Sequence, residues 1–206
     1  MTFKPLVSAL IVFSLLLSNQ TIAQRIYASK SFGCSIKIPV SYEVKFYNDA
    51  SSSDFMLSAY DSLSYRGNSP SPRNVITVER LLDSRYPRVG TIDKLFNSPQ
   101  YVLAQFTRGG GGTVYPVNFQ KKMTLLNGRQ AIEVSYFEGK ICEESPCYAK
   151  KITMYITLRN GYIYAARYLE SHKFEGAKNG GSEIIDPKHP VKPEEGVAAI
   201  KTFKLL

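Results

Sequence analysis

Alternation of apolar and polar side chains is strict enough in two stretches of the chain to set strand register. Residues 151–159 and 162–169 flank Asn160-Gly161, a pair that tolerates the positive φ of a two-residue hairpin turn. That turn sets Leu158 opposite Ile163, Ile156 opposite Ala165 and Ile152 opposite Leu169 on one side. Tyr155, Thr157, Tyr164 and Tyr168 line the reverse side. A slip of one residue would exchange the two sets. Residues 115–126 and 129–137 flank Asn127-Gly128 in the same manner, with Met123 facing Ile132, Lys121 facing Val134 and Lys122 facing Glu133. The first pair is apolar and the last is an opposite-charge cross-strand pair.

Weaker alternation precedes these hairpins. Ile36 and Ile38 place a strand at 34–39; Tyr42, Val44 and Phe46 extend a second over 42–47; Phe55, Leu57 and Ala59 share one face of a third over 55–63. Gly67, Pro70 and Pro72 make 66–74 a loop. Residues 75–82 are β-rich, although 79–82 also suit the start of a helical turn. Thr91 is a possible cap for a short helix holding Ile92 and Leu95. Ser98-Pro99 is the stronger helix start, with Val102, Leu103 and Phe106 on one face and four glycines, 109–112, as the stop. Residues 171–182 are polar with one possible helical turn around Phe174. Prolines at 187, 190 and 193 favour an extended path, and Pro193 opens a last helix through Glu194, Glu195, Val197 and Ile200. Antiparallel hairpins with few helices predict an α+β domain, a mainly antiparallel sheet with helices packed on its faces.

The first residues belong to a different pattern. A short basic start with Lys4, an apolar run over 6–17, a polar segment and Thr21-Ile22-Ala23 before Gln24 form the three parts of a secretory signal. At 1.5 Å per residue that run spans about 18 Å, short of a hydrocarbon core of about 30 Å. Residues 1–23 are therefore read as an export signal and 24–206 as one domain, secreted or periplasmic. Ser31-Phe32 before Gly33-Cys34 does not make a lipid-attachment box.

Composition narrows the chemistry. The chain of 206 residues carries 26 Lys and Arg against 17 Asp and Glu, a formal charge of +9, with 44% hydrophobic residues. That excludes a disordered chain. Two His and no Trp exclude a three-histidine metal site and a tryptophan cage, and no cofactor motif is legible. The three cysteines are Cys34, Cys142 and Cys147. In an oxidising compartment Cys142 and Cys147, flanking Glu143-Glu144-Ser145-Pro146, are expected to form a disulfide across a turn, with Cys34 a buried thiol.

Several short segments then agree with one fold. Ser35-Ile36-Lys37-Ile38-Pro39 near the start, Asn127-Gly128-Arg129-Gln130-Ala131-Ile132-Glu133-Val134 in the middle, the stretch from Tyr155 through Asn160-Gly161 to Tyr164, and Ala199-Ile200-Lys201-Thr202-Phe203-Lys204 at the end are spread over most of the exported part. This pattern resembles the Mog1/PsbP-like α/β/α sandwich, including its exported bacterial members. The resemblance implies accessory and protein-binding roles, such as a helper of nuclear transport or an extrinsic subunit of photosystem II, and no common catalytic residues. Export argues against the nuclear role, and nothing in the residues supports the photosynthetic one.

Candidate chemistry is sparse. His172 and His189 are the imidazoles available for base work, but no Gly-x-Ser-x-Gly elbow accompanies them. The glycines at 109–112 lack the Lys-Ser/Thr of a phosphate loop. Arg66, Arg73, Arg80, Arg85 and Arg88 are interrupted by Glu79 and Asp83, and no nucleic-acid signature appears. The positive surplus implies mild attraction to anionic envelope surfaces. Tyr155, Tyr164 and Tyr168, with Tyr162 beside them, are core if helices cover both sheet faces. Left uncovered, they are an amphipathic contact surface. The sequence thus points to an exported, non-catalytic accessory or protein-binding domain whose partner is another envelope or secreted protein. The alternative is an envelope hydrolase acting on a polymer or small ester.

Overall fold

The computed structural model describes residues 23–50, 55–61, 63–66, 69–72, 74–82, 90–99, 102–103, 116–138, 148–173 and 193–206. Its centre is a seven-stranded antiparallel sheet built from β3 (Glu43–Phe46), β4 (Phe55–Tyr60), β7 (Asn74–Leu82), β8 (Pro116–Leu126), β9 (Arg129–Glu138), β10 (Tyr148–Arg159) and β11 (Tyr162–Lys173). The spatial order is β3-β4-β7-β11-β10-β9-β8. A smaller sheet, β1 (Gln24–Ser29), β2 (Cys34–Pro39) and β12 (Lys204–Leu205), is ordered β1-β2-β12; β5 (Leu63–Arg66) and β6 (Ser69–Pro72) form a separate ribbon. Among the described residues the helices with both ends given are α1 (Ile92–Phe96) and α2 (Pro193–Lys201), and residues 102–103 are also helical.

Both Asn-Gly turns reverse the chain as their residue types require. Asn127 and Asn160 sit at φ 50° and 52°, followed by Gly128 and Gly161 at 79° and 74°. The registers follow from those turns: Leu158 pairs with Ile163, Ile156 with Ala165 and Ile152 with Leu169, while Met123 pairs with Ile132 and Lys122 with Glu133. Each face of the central sheet has its own core. Ile132, Val134, Ile152, Met154 and Ile156 pack on one side with Leu95 of α1 and with Val102 and Leu103. Tyr155, Tyr164, Tyr168, Ile76 and Val78 pack on the other with Ile36 and Ile38 of β2 and Ala199 and Ile200 of α2. Coverage of both faces explains why β11 is buried without a break from Ile163 to Tyr168.

Local signals placed the helices. Thr91 Oγ1 accepts from Lys94 N at 3.3 Å and caps α1, and Lys121 of β8 donates to Phe96 O and, at 3.3 Å, to Ser98 O. A cation at the last carbonyls suits the negative end of the helix. Val102 and Leu103 both donate back to Pro99 O, at 3.0 and 3.4 Å, so a helical turn does start at Pro99. Phe106 and the glycines at 109–112 lie outside the described residues.

Three expectations need amendment. Residues 79–82 are strand throughout. Residues 66–74 include β6 and the start of β7; Pro70 and Pro72 fit because a two-stranded ribbon leaves each strand an open side. Strands β1 and β12 were not anticipated, the first because it is largely exposed and the second because it is two residues long.

Candidate functional site

The tyrosine side of the β10–β11 hairpin is covered. Tyr155, Tyr164 and Tyr168 are 3%, 4% and 1% exposed, so they are core side chains beneath α2 and the small sheet. Their hydroxyls are put to use there. Tyr164 donates to Phe32 O at 3.0 Å, and Tyr168 donates to Asn74 Oδ1, also at 3.0 Å, while Asn74 Nδ2 donates to Asp61 Oδ2. Burial, and then the Glu133 carboxylate beside it, push the Tyr155 phenol up to about 12.

Tyr162 alone of the four keeps an exposed part. Its ring lies 4.4 Å from the Arg80 guanidinium, which also faces Phe32 at 5.2 Å and donates to Ser31 O at 2.7 Å. An arginine held between two rings and one carbonyl is a fixed positive charge at the surface, favoured by the ring quadrupoles. The loop after β1 thereby becomes part of a basic, aromatic surface.

That surface continues over the small sheet. From Gln24 through Tyr42 there is no Asp or Glu, and none from Gly196 to the end; Arg25, Lys30, Lys37, Lys201 and Lys204 fall in these segments. Inward-facing Cys34, Ile36 and Ile38 are buried, while Lys37, Lys204 and Ile26 are exposed. Ile26 and Lys37 are directly paired, so they share the outer face. Ile26 is 69% exposed. Thr202 locks the far side by accepting from Lys37 N at 2.8 Å, and Asn127 Nδ2 donates to Phe203 O at 2.6 Å, fastening the C-terminal segment to the β8–β9 turn.

Two other polar groupings are internal. On the α1 side Arg167 lies 3.4 Å from Glu79 and bonds Thr77 Oγ1 at 3.1 Å, all three side chains buried. At the opposite end of the tyrosine side, Tyr42 Oη is buried with no hydrogen-bond partner among the described residues. Burial, then Asp61, Glu195 and Glu170, hold that phenol well above its ordinary value. Among the described residues no three His, Cys, Asp or Glu side chains are grouped as metal ligands.

The expected Cys142–Cys147 disulfide is corrected: no pair of cysteine sulfurs lies at bonding distance. Both residues lie outside the described ones. Four residues between two cysteines set neither the distance between their Cβ atoms nor the direction in which they point. Cys34 is a buried free thiol 3.4 Å from Met56 Sδ, and burial raises it to about 12.

The histidines give no constellation to assess. His172 pairs with Ala149 in the β10–β11 ladder, its side chain outside the described residues, as are His189, Arg73, Arg85, Arg88, Glu143 and Glu144. The expected export signal, residues 1–23, also falls outside them except for Ala23. No described helix is long and apolar enough to cross a membrane. Sequence reasoning missed Ile26 and the acid-free sheet, and named Arg80 only as one of a series of arginines. The signal was present as runs without Asp or Glu, but only the pairing of β12 with β2 joins the two ends into one surface.

These features define an α+β sandwich with a basic outer sheet. No family model and no curated protein matches the chain. Similar solved structures include the solution structure of cyanobacterial PsbP (CyanoP) from Synechocystis sp. PCC 6803, aligned over 90% of this chain and 94% of that one, at 9% identity and a TM-score of 0.43. A crystal structure from Bacteroides thetaiotaomicron VPI-5482 aligns over 88% of this chain and 48% of that one, at 9% identity and a TM-score of 0.39. This chain thus spans about half the length of the Bacteroides protein. Both are distant structural matches, and no site residue is carried over from either.

Proposed function

We propose that this chain is an exported, non-catalytic accessory domain that works by binding an anionic partner, another envelope or secreted protein, through its three-stranded sheet. The observation that carries the reading is the segregation of charge: Lys37 and Lys204 on the outer face of that sheet around an exposed isoleucine, Arg25 on its edge strand and Lys30 in its first turn, with no carboxylate on any of its three strands. Interspersed signs are the ordinary surface pattern; a single-sign face steers and orients an oppositely charged partner. Tyr162 on Arg80 extends the face with an aromatic edge.

The test is retention of envelope proteins on the immobilised chain at about 50 mM salt, where the screening length still exceeds a contact distance. Lys37→Glu with Lys204→Glu reverses two exposed charges and should abolish retention of the specific partner. Equal retention by wild type and the reversed variant would reject the reading.

A further inference from the structure

Sheet edges are normally shielded by shortness, proline, bulges or charge, because an open edge is a template for another strand. The described strands obey this with one exception. Strands β3, β5 and β6 have four residues and β12 has two. Strand β8 begins at Pro116 and is interrupted by a register shift between Val117 and Gln120, with Asn118 at φ 54°. Strand β1 has six residues, an unbroken register with β2, no proline and no bulge, a single charge at Arg25, and no described strand on its other side.

The ladder shows which groups face that open side. Val40 N donates to Ala23 O at 2.9 Å. Antiparallel pairs alternate between bonded and non-bonded, so Arg25–Ile38, Tyr27–Ile36 and Ser29–Cys34 exchange the bonds with β2. Gln24, Ile26 and Ala28 therefore turn their N–H and C=O groups outward. Pro39, which has no N–H to give, sits opposite Gln24 as this phase demands.

Resting on the binding reading above, we propose that β1 is a strand-addition site and that its occupant is an extended, acidic segment of a partner protein. Main-chain bonds to Gln24, Ile26 and Ala28 supply the affinity, as in other edge-strand recognition. Charge supplies the selectivity: a carboxylate on one side of a strand beside β1 meets exposed Arg25, with Lys30 at the end of the strand, and no acidic residue lies between Gln24 and Tyr42 to repel it. Exposed Ile26, beside Lys37 on the outer face, gives the incoming strand one apolar neighbour.

The experiment uses the full chain and a labelled peptide of alternating glutamate and valine, about eight residues long. Anisotropy measures affinity, and hydrogen exchange reads the amides of Ile26 and Ala28. Binding should slow exchange at both amides, and an alternating lysine–valine peptide should not bind. Ile26→Pro removes an outward N–H without touching a bond to β2, and should weaken the acidic peptide about tenfold. Ile26→Ser retains the N–H and should keep most of the affinity. If Ile26→Pro perturbs the circular dichroism spectrum, Ala28→Pro tests the same edge. Equal binding by wild type and both proline variants would overturn the edge site while leaving an anionic-partner reading standing. Binding by neither peptide, with retention on phosphatidylglycerol vesicles instead, would overturn both. Full protection of Ile26 and Ala28 in the free chain would show the edge already occupied and would overturn the proposal by itself.

Discussion

Gly196 of α2 packs against the Tyr168 ring of the central sheet, and replacing it tests the packing of the tyrosine side directly. A Cβ at this position would fall 2.5 Å from Cδ2 and 2.6 Å from Cζ of Tyr168, and nearer still to Cε2. Normal carbon contacts begin at about 3.5 Å, so the overlap is roughly an ångström. The ring has little freedom to yield. It is 1% exposed, and its hydroxyl is held through Asn74 to Asp61. On an exposed helix, Gly→Ala would stabilise by about 1 kcal/mol. Here the overpacking opposes it with about 1–3 kcal/mol, and displacement of the ring forfeits a buried hydrogen bond for about 1 kcal/mol more. The net expectation for Gly196→Ala is a loss of about 1–3 kcal/mol, read by urea denaturation followed by circular dichroism. In a Tyr168→Leu background the same change should be neutral or stabilising, and the difference between the two backgrounds is the contact itself. A Gly196→Ala protein as stable as wild type, or more so, would refute the reasoning.

Other perturbations test the remaining groups. Arg167→Leu takes the cation away from buried Glu79 and should destabilise by about 3 kcal/mol, with much of the loss recovered in Arg167→Leu/Glu79→Leu; chemical denaturation of the set decides. Stability should fall as pH rises from about 9 towards 12. Over that window the unfolded chain releases the Cys34 and Tyr155 protons that the fold retains up to about 12. A denaturation midpoint that stays level over this range would contradict the burial of both groups. In a Cys142→Ser/Cys147→Ser protein, Cys34 should resist thiol reagents at pH 8 until denaturant is added, and prompt labelling of the folded chain would be the contrary result. Asn127→Gly keeps a residue that accepts positive φ but removes the side-chain donor to Phe203 O, and should lower stability by about 1 kcal/mol in thermal melts.

The hairpins were legible because a two-residue turn fixes register: from Asn160-Gly161 the opposing pairs follow by counting out to Ile152–Leu169, and from Asn127-Gly128 as far as Gln120–Ser135, beyond which the register shifts. The helix starts at Thr91 and Pro99 were legible for an equally local reason, since a cap and a proline act within one turn. Edge strands carry no such mark. Strand β1 has one buried residue out of six, and an exposed strand needs no apolar alternation. The disulfide expectation went wrong because close spacing in sequence does not set the distance between two sulfurs; the tertiary path of the chain does.

Chain order alone determined the turns, the strand pairs they close and the division of each strand into two faces, because these depend on backbone torsions and on neighbours a few residues away. What covers each face was decided only in three dimensions. Burial of Tyr155, Tyr164 and Tyr168 depends on α2, whose sequence lies some distance past theirs, and on β2, which precedes them. The basic outer sheet likewise exists only because Lys204 is brought beside Ser35, joining two ends of the chain whose positive charges are far apart in sequence. Burial and surface charge are properties of non-local contact, and no count along the chain supplies them.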